Sequence, residues 1–310
     1  MNKSQLMWPL IEAAHRITLL AHQKPDPDAL GSTGALALLF KRMGKIVEVI
    51  YPGIGRDPLP YVVEHLQENT HTMLPDLIIS CDTPTMNRLY FPAEFTVIPH
   101  INIDHHQHNT IPATVSYVDT TCTSTCEMVY RLLVAWQQPL SADMASMLLF
   151  GIMTDTLNFK VPGTTPSTLR VAADLIECGA NLAALNQALI IHSDPKVLAL
   201  WGELLHTARH NKNESVMWTV CSPELLAKYQ FSDTALNGFV AFFAQTLTND
   251  VSILFYENNG MSKASMRSKA TNVNAIAREF GGGGHILASG ITSSLPLEEL
   301  IKEVTAKFLP

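Results

Sequence analysis

The sequence predicts an α/β fold: an N-terminal, mostly parallel sheet with helices on both faces, followed by a smaller C-terminal α/β domain. Two observations carry this. In the first half, short apolar runs of strand length alternate with helical segments, whereas a polar break at Asn211-Lys-Asn-Glu214 separates a second set of strands and helices. The first strands also end abruptly in Asp or His, most plainly where Ile-Asn-Ile runs into Asp104-His105-His106. We place the domains at 1–190 and 214–310, with a linker helix over 191–213. The length of 310 residues, 47% hydrophobic, supports two cores.

Residues 1–15 read as a helix. Arg16 to Ala21 is the first strand and delivers His22. Pro25 and Pro27 bar helix from the residues before them, so Lys24 and Asp26 are expected to be extended. Asp28 is expected to cap the helix that runs to Phe40. Lys45 to Tyr51 is the second strand. Asp76 to Ser80 is the third, ending at Cys81-Asp82, and Thr96 to Ile103 is the fourth. Val115 to Val118 is a short fifth. Helices follow: from Ser124 to Trp136, with Glu127 completing a capping box; from Ser141 to Met153, running into Thr154-Asp155-Thr156; from Thr165-Pro166 to Cys178-Gly179; and after Asn181. His192-Ser-Asp-Pro-Lys opens a helix to about His210. Beyond the break, 215–221, 251–256 and 263–267 read as strands, and 272–279 and 297–308 as helices.

Composition excludes several classes. No apolar window is long enough for a membrane span, and the N-terminus lacks the layout of a secretory signal, so the cytoplasm is the expected location. Five cysteines without a Cys-x-x-Cys pair argue against a disulfide framework or a thiolate zinc site. A net charge of −7 argues against gripping a long duplex, which needs a basic footprint.

In parallel sheets, ligands bind beyond the carboxyl ends of the strands, where His22, Asp82 and Asp104-His105-His106 fall. Asp26, Asp28 and Asp155 join them as candidates. Carboxylates crowded together repel unless cations neutralise them. Two divalent ions match four carboxylates, and an oxygen-rich set with two imidazoles suits Mn²⁺. A bridging carboxylate needs a central position, and Asp82 is the candidate. In the second domain, Lys263, Arg267, Lys269 and Arg278 outnumber Glu279 between Met261 and His285. Glycine backbone in Gly281-Gly282-Gly283-Gly284 can cradle an anion, and Arg267 can clamp a phosphate.

Asp104-His105-His106 resembles the name motif of the DHH phosphoesterases. His22-x-x-Pro-Asp-x-Asp-Ala-Leu-Gly-Ser resembles their first motif, Asp82 the lone Asp of the second, and Gly151-Ile-Met-Thr-Asp155-Thr the fourth. Arg267-Ser268 and Gly282-Gly283-Gly284-His285 resemble the substrate-binding domain attached to one branch of the superfamily. The resemblance covers nearly the whole chain. It implies one metal held by His22, Asp26 and Asp82, and a second held by Asp28, Asp82, His105 and Asp155. It implies that His106 faces the scissile phosphate as charge stabiliser or proton donor and that Asp104 orients His105. Arg267, Ser268 and the Gly282–His285 loop would hold a terminal phosphate or nucleotide, with the active-site cleft between the domains.

The two-domain length resembles stand-alone bacterial enzymes that degrade very short oligoribonucleotides and dephosphorylate 3′-phosphoadenosine 5′-phosphate. The expected reaction is phosphoester hydrolysis by metal-activated water, with two Mn²⁺ per site, or Mg²⁺ or Co²⁺ in their place. Expected partners are short RNA or small adenine nucleotides, and pairing of two copies. Alternatives are a dinucleotide phosphodiesterase, a pyrophosphatase or polyphosphatase, against which the Gly-rich ending argues, and a non-catalytic nucleotide-binding module. After Thr156 many relatives carry Gly, where this chain has Leu157-Asn158.

Overall fold

The computed structural model describes residues 3–52, 66–161, 163–189 and 194–308. It divides into two units, Met1–Ile190 and Ile191–Pro310. The first contains α1 (Lys3–Ala13), β1 (Arg16–Leu20), α2 (Pro27–Arg42), β2 (Ile46–Tyr51), β3 (Leu66–Glu68), β4 (Leu77–Cys81), β5 (His100–Asp104), β6 (Val115–Val118), α3 (Thr125–Ala135), α4 (Ala142–Asp155), α5 (Pro166–Glu177) and α6 (Leu182–Leu189).

Six strands form one sheet in the order β3-β2-β1-β4-β5-β6, and every pairing is parallel. The chain builds outward from β1 to β3, then returns to β4 and builds the other way. The order therefore reverses between β1 and β4, and a crevice opens at the carboxyl ends of such neighbours. His22 leaves β1 and Asp82 leaves β4, so both start from that point.

Alternating residues send Ile17 and Leu19 of β1, Leu77, Ile79 and Cys81 of β4, and Ile101 and Ile103 of β5 into the main core with α1–α5. On the opposite face Leu20, Ile50 and Ile78 are covered by Leu89, Phe95 and Ile111. These come from the β4–β6 connections, which carry 3₁₀ turns at Met86–Arg88 and Ala93–Val97.

Several local expectations are corrected. The fourth strand begins at His100, not Thr96, because Pro99 has no donor to give a ladder and Ala93–Val97 folds as a turn. Lys24 is left-handed (φ 54°) rather than extended. Asp26, not Asp28, caps α2: its Oδ1 accepts the Asp28 and Ala29 amides at 3.1 and 3.0 Å. Ser124 caps α3 through the Glu127 amide, but the Glu127 carboxylate turns instead to Thr123, Arg131 and Thr168. No reciprocal capping box forms there; Thr165 and Thr168 make one on α5.

The second unit contains α7 (Pro195–His206), β7 (Arg209–His210), β8 (Val216–Cys221), α8 (Pro223–Tyr229), α9 (Phe239–Thr246), β9 (Val251–Asn258), β10 (Met261–Ser268), α10 (Val273–Glu279), β11 (Gly283–His285), β12 (Ala288–Ser293) and α11 (Leu297–Ala306). Its sheet runs β11-β12-β10-β9-β8-β7; β8 and β9 are parallel and the remaining pairs antiparallel. One face packs Ile253, Phe255, Met266 and Ile291 against α10 and α11. Leu254 faces the other way, against Trp201, Leu204, Phe239 and Phe243. Thus α7, in the stretch read as a linker, buries Leu200, Trp201 and Leu204 in the core of this unit and ends at His206, short of His210. The expected start of that helix at His192 lies outside the described residues, where Asp194 is the first to be seen and caps it through the Lys196 amide. Among the described residues, no helix is long and apolar enough to cross a membrane.

Candidate metal centre

Five segments converge at the carboxyl edge of the first sheet: the turn after β1, the start of α2, the residue after β4, the residues after β5, and the last residue of α4. They bring His22, Asp26, Asp28, Asp82, His105, His106 and Asp155 into three overlapping groups. These are His22–Asp26–Asp82, Asp28–His105–Asp155 and Asp82–His105–His106, each with donor atoms within 4.8 Å of one another. Asp82 and His105 each belong to two groups.

His22 Nε2 lies 3.5 Å from Asp82 Oδ2 and 3.8 Å from Asp26 Oδ2. His105 Nε2 lies 3.3 Å from Asp155 Oδ2, 3.5 Å from Asp82 Oδ1 and 4.0 Å from Asp28 Oδ2. These separations exceed a good hydrogen bond and leave room for an ion between the donors. Asp82 sits at φ 57°, a left-handed conformation that an L side chain enters at a cost of about 1–2 kcal/mol. That turn aims its carboxylate back over the strand ends, between the two imidazoles.

The electrostatics fit the same use. Burial, followed by the charges of Asp28, Asp26 and Asp104, pushes the Asp82 carboxyl well above its ordinary range. Burial and the neighbouring aspartates push Asp155 up in the same way. Burial also raises Asp28, although its two oxygens accept the Thr125 and Cys126 amides at 2.7 and 2.8 Å, at the positive end of α3. Burial lowers the His105 imidazole, favouring the neutral ring that a metal requires. Clustered carboxylates that repel one another, with the lowered His105 imidazole among them, are a donor set suited to divalent cations.

The packing behind the site is tight. A Cβ added to Gly151 would lie 2.4 Å from Cys126 Sγ and 3.0 Å from Asp28 Cα. One added to Gly31 would lie 2.6 Å from the Met147 carbonyl oxygen and 2.9 Å from the same sulfur. Glycine at these two positions lets α2 and α4 approach closely enough for Asp28 and Asp155 to share a group.

The division of labour within Asp104-His105-His106 differs from expectation. Asp104 Oδ1 lies 2.7 Å from His106 Nδ1, so Asp104 orients His106 and not His105. Burial works to raise Asp104, but His106 and Asn109 hold it below its ordinary value. The His105 and His106 imidazoles touch edge to face with centroids 4.7 Å apart.

Sequence reasoning missed several contributors. Thr125 Oγ1 donates to Asp82 Oδ1 at 3.1 Å, and Asn109 Nδ2 donates to Asp104 Oδ2 at 2.6 Å. Arg88 Nη2 lies 3.0 Å from His22 Nδ1. Asn109 lies three residues beyond the His pair, the nearest of these contributors in sequence to a predicted site residue.

In the second unit, Ala288 pairs with Arg267 on one side and with His285 on the other, which brings both to one end of that sheet. Gly283–His285, read as part of an anion-cradling loop, is the edge strand β11. A Cβ at Gly282 would meet the Gly290 carbonyl at 2.1 Å, and one at Gly284 (φ 141°) the Ala288 carbonyl at 2.5 Å. The glycines therefore first allow β11 to lie on β12. Arg267 Nη1 donates to its neighbour's carbonyl, that of Met266, at 2.9 Å. Ser268 Oγ donates to Asp250 Oδ1 at 2.9 Å and accepts the Ala270 and Thr271 amides, closing the turn after β10.

A parallel sheet with a carboxylate–imidazole cluster at its switch point marks a candidate metal-binding centre of the α/β class. The DHH family N-terminal domain matches residues 16–152, and the DHHA1 domain matches 215–309. The chain is 30% identical over 289 residues to the probable bifunctional oligoribonuclease and PAP phosphatase NrnA of Streptococcus mutans, covering 91% of each chain. It is also 30% identical to the Thermus thermophilus enzyme of that type, covering 98% of this chain and 92% of the relative. A probable manganese-dependent inorganic pyrophosphatase of Enterococcus faecalis is 23% identical, over 77% of this chain and 85% of its own. The fold matches the crystal structure of an exopolyphosphatase-related protein from Bacteroides fragilis with a TM-score of 0.88 at 24% identity, covering 98% and 94%. The chain belongs to the DHH family of phosphoesterases.

Proposed function

We propose that this chain hydrolyses the phosphoester bonds of short oligoribonucleotides and of 3′-phosphoadenosine 5′-phosphate. The observation that carries the reading is the overlap of three ligand groups through Asp82 and His105, beside a His106 held by Asp104. The full-length likeness to relatives named for these two activities supports it.

His22, Asp26 and Asp82 would hold one divalent cation, and Asp28, Asp82, His105 and Asp155 a second. Manganese suits this oxygen-rich, two-imidazole set. Bound cations supply activated water and positive charge for in-line attack at phosphorus. The side chains do the rest. Asp82 shares its two oxygens between the groups. Asp104 fixes the His106 ring, and His106 passes a proton to the departing oxygen. Residues 1–190 are the catalytic domain in this reading, and the second unit holds the substrate. There Arg267, Ser268 and Gly282-Gly283-Gly284-His285 receive its terminal phosphate or nucleotide.

The test is a panel of RNAs of two to ten nucleotides, 3′-phosphoadenosine 5′-phosphate and pyrophosphate, each with Mn²⁺-loaded protein. Turnover concentrated on the shortest RNAs and the bisphosphate is expected. Turnover of pyrophosphate alone, or of nothing, overturns the reading.

A further inference from the structure

Arg88 is half-buried, its guanidinium meets the ring of His22, and it forms no ion pair with a carboxylate among the described residues. Its backbone carbonyl accepts the Gln23 amide at 2.7 Å, which pins the turn after β1 to the 3₁₀ turn that follows β4. Its side-chain Nη2 lies 3.0 Å from His22 Nδ1. The same ring nitrogen lies 2.8 Å from the Gln23 carbonyl oxygen.

One nitrogen cannot serve both neighbours. A guanidinium N–H needs a lone pair on Nδ1, whereas a carbonyl needs a proton there. Nε2 faces Asp26 and Asp82, and with that nitrogen given to the ligand group Nδ1 is the one left to carry the ring's N–H. That proton goes to the Gln23 carbonyl, and the Arg88 N–H is left facing another N–H. The guanidinium then needs a different acceptor, at the rim of the His22–Asp26–Asp82 group. Arginine presents paired donors whose spacing matches two oxygens of a phosphoryl group.

Building on the phosphoesterase reading, we propose that Arg88 is a substrate-contacting residue: its guanidinium exchanges the His22 ring for a phosphoryl oxygen of the substrate. The ligand class is a phosphate ester or free phosphate dianion. The contact lies in the first unit.

The test compares wild type with Arg88→Ala and Arg88→Lys, titrating each calorimetrically with Mn²⁺ and then, in the Mg²⁺-loaded state, with inorganic phosphate. Mn²⁺ affinity should stay within about twofold, and phosphate affinity should fall about tenfold in Arg88→Ala, as for loss of one charge-assisted contact. Arg88→Lys should recover part of it, and KM for 3′-phosphoadenosine 5′-phosphate should follow the phosphate affinities. Weakened Mn²⁺ binding with unchanged phosphate affinity at saturating metal would make Arg88 a support for His22 and overturn the proposal. Unchanged binding of both would also overturn it. If Arg88→Ala does not fold, Arg88→Lys and Arg88→Met decide by the same readings. A wild type that binds phosphate but hydrolyses no phosphoester refutes the functional reading and leaves the Arg88 contact standing.

Discussion

Asp104 Oδ1 lies 2.7 Å from His106 Nδ1, while Asn109 closes the other carboxylate oxygen at 2.6 Å. The carboxylate thus fixes one ring in one orientation. Asp104→Asn should lower turnover on the order of 10²- to 10⁴-fold, the range for a misplaced proton donor. Manganese content, measured on the same preparation, should not change. A parallel loss of metal would show that Asp104 supports the ligands rather than His106.

Asp82 is the carboxylate shared by two ligand groups. Asp82→Ala should abolish turnover of both RNA and the adenosine bisphosphate. In metal-free protein, however, removing one of several repelling buried carboxylates should raise the melting temperature. Manganese should stabilise wild type and do little for the variant. Retained activity in purified Asp82→Ala protein would sink the shared-ligand scheme.

Gly151 sits against Cys126 and the Asp28 backbone. Gly151→Ala should destabilise the first unit by about 1–3 kcal/mol, as overpacking does. It should also weaken manganese binding, because α4 carries Asp155. Adding Cys126→Ala should restore part of the stability but not all, since the Asp28 backbone remains. Calorimetry of the two variants, with and without metal, checks this.

Leu157, Asn158 and Phe159 form a run of left-handed residues (φ 47°, 58° and 64°) directly after Thr156, the C-cap of α4. Hydrogen bonds from the Asn158 amide to the Met153 carbonyl and from the Phe159 amide to Thr156 Oγ1 hold the run in place. Leu157→Gly should relieve the strain at its position and raise stability by about 1 kcal/mol. Urea denaturation reads this directly.

His100 is buried in β5, its Nε2 2.8 Å from Ser80 Oγ. Burial lowers its ring from the ordinary 6.5 to about 4. Between those values the unfolded ring takes a proton that the folded ring refuses, so stability falls as pH falls from about 6.5 towards 4. The loss should reach roughly 3 kcal/mol. His100→Gln should flatten the unfolding free energy across that window relative to wild type.

Much of the site was readable because its chemistry sits at strand and helix ends. An apolar run that stops in Asp or His marks both the end of an element and the edge where ligands bind, so His22, Asp82, His105 and Asp155 could be named from order alone. What could not be read is what depends on approach from elsewhere. Arg88 and Thr125 reach the ligands only once β1, β4 and α3 are side by side. Asp104 could serve either neighbouring histidine, and rotamers decided which. In the fold, β3, β7, β11 and β12 escaped notice. The first two are only three and two residues long, and glycines interrupt the apolar pattern of the others. Asp26 took the cap expected of Asp28 because Pro27 fits the first position of a helix and moves the cap one residue ahead of itself.

The contact of α2 with α4 through Gly31, Gly151 and Cys126 also sets a timetable for synthesis. A ribosome delivers His22 and Asp28 early, Asp82 and His105 later, and Asp155 last. Until α4 has emerged and settled against α2, the nascent chain exposes an incomplete, strongly acidic edge. The Asp28–His105–Asp155 group is complete only once α4 has settled. A chain truncated before residue 155 lacks the Asp155 carboxylate of the Asp28–His105–Asp155 group.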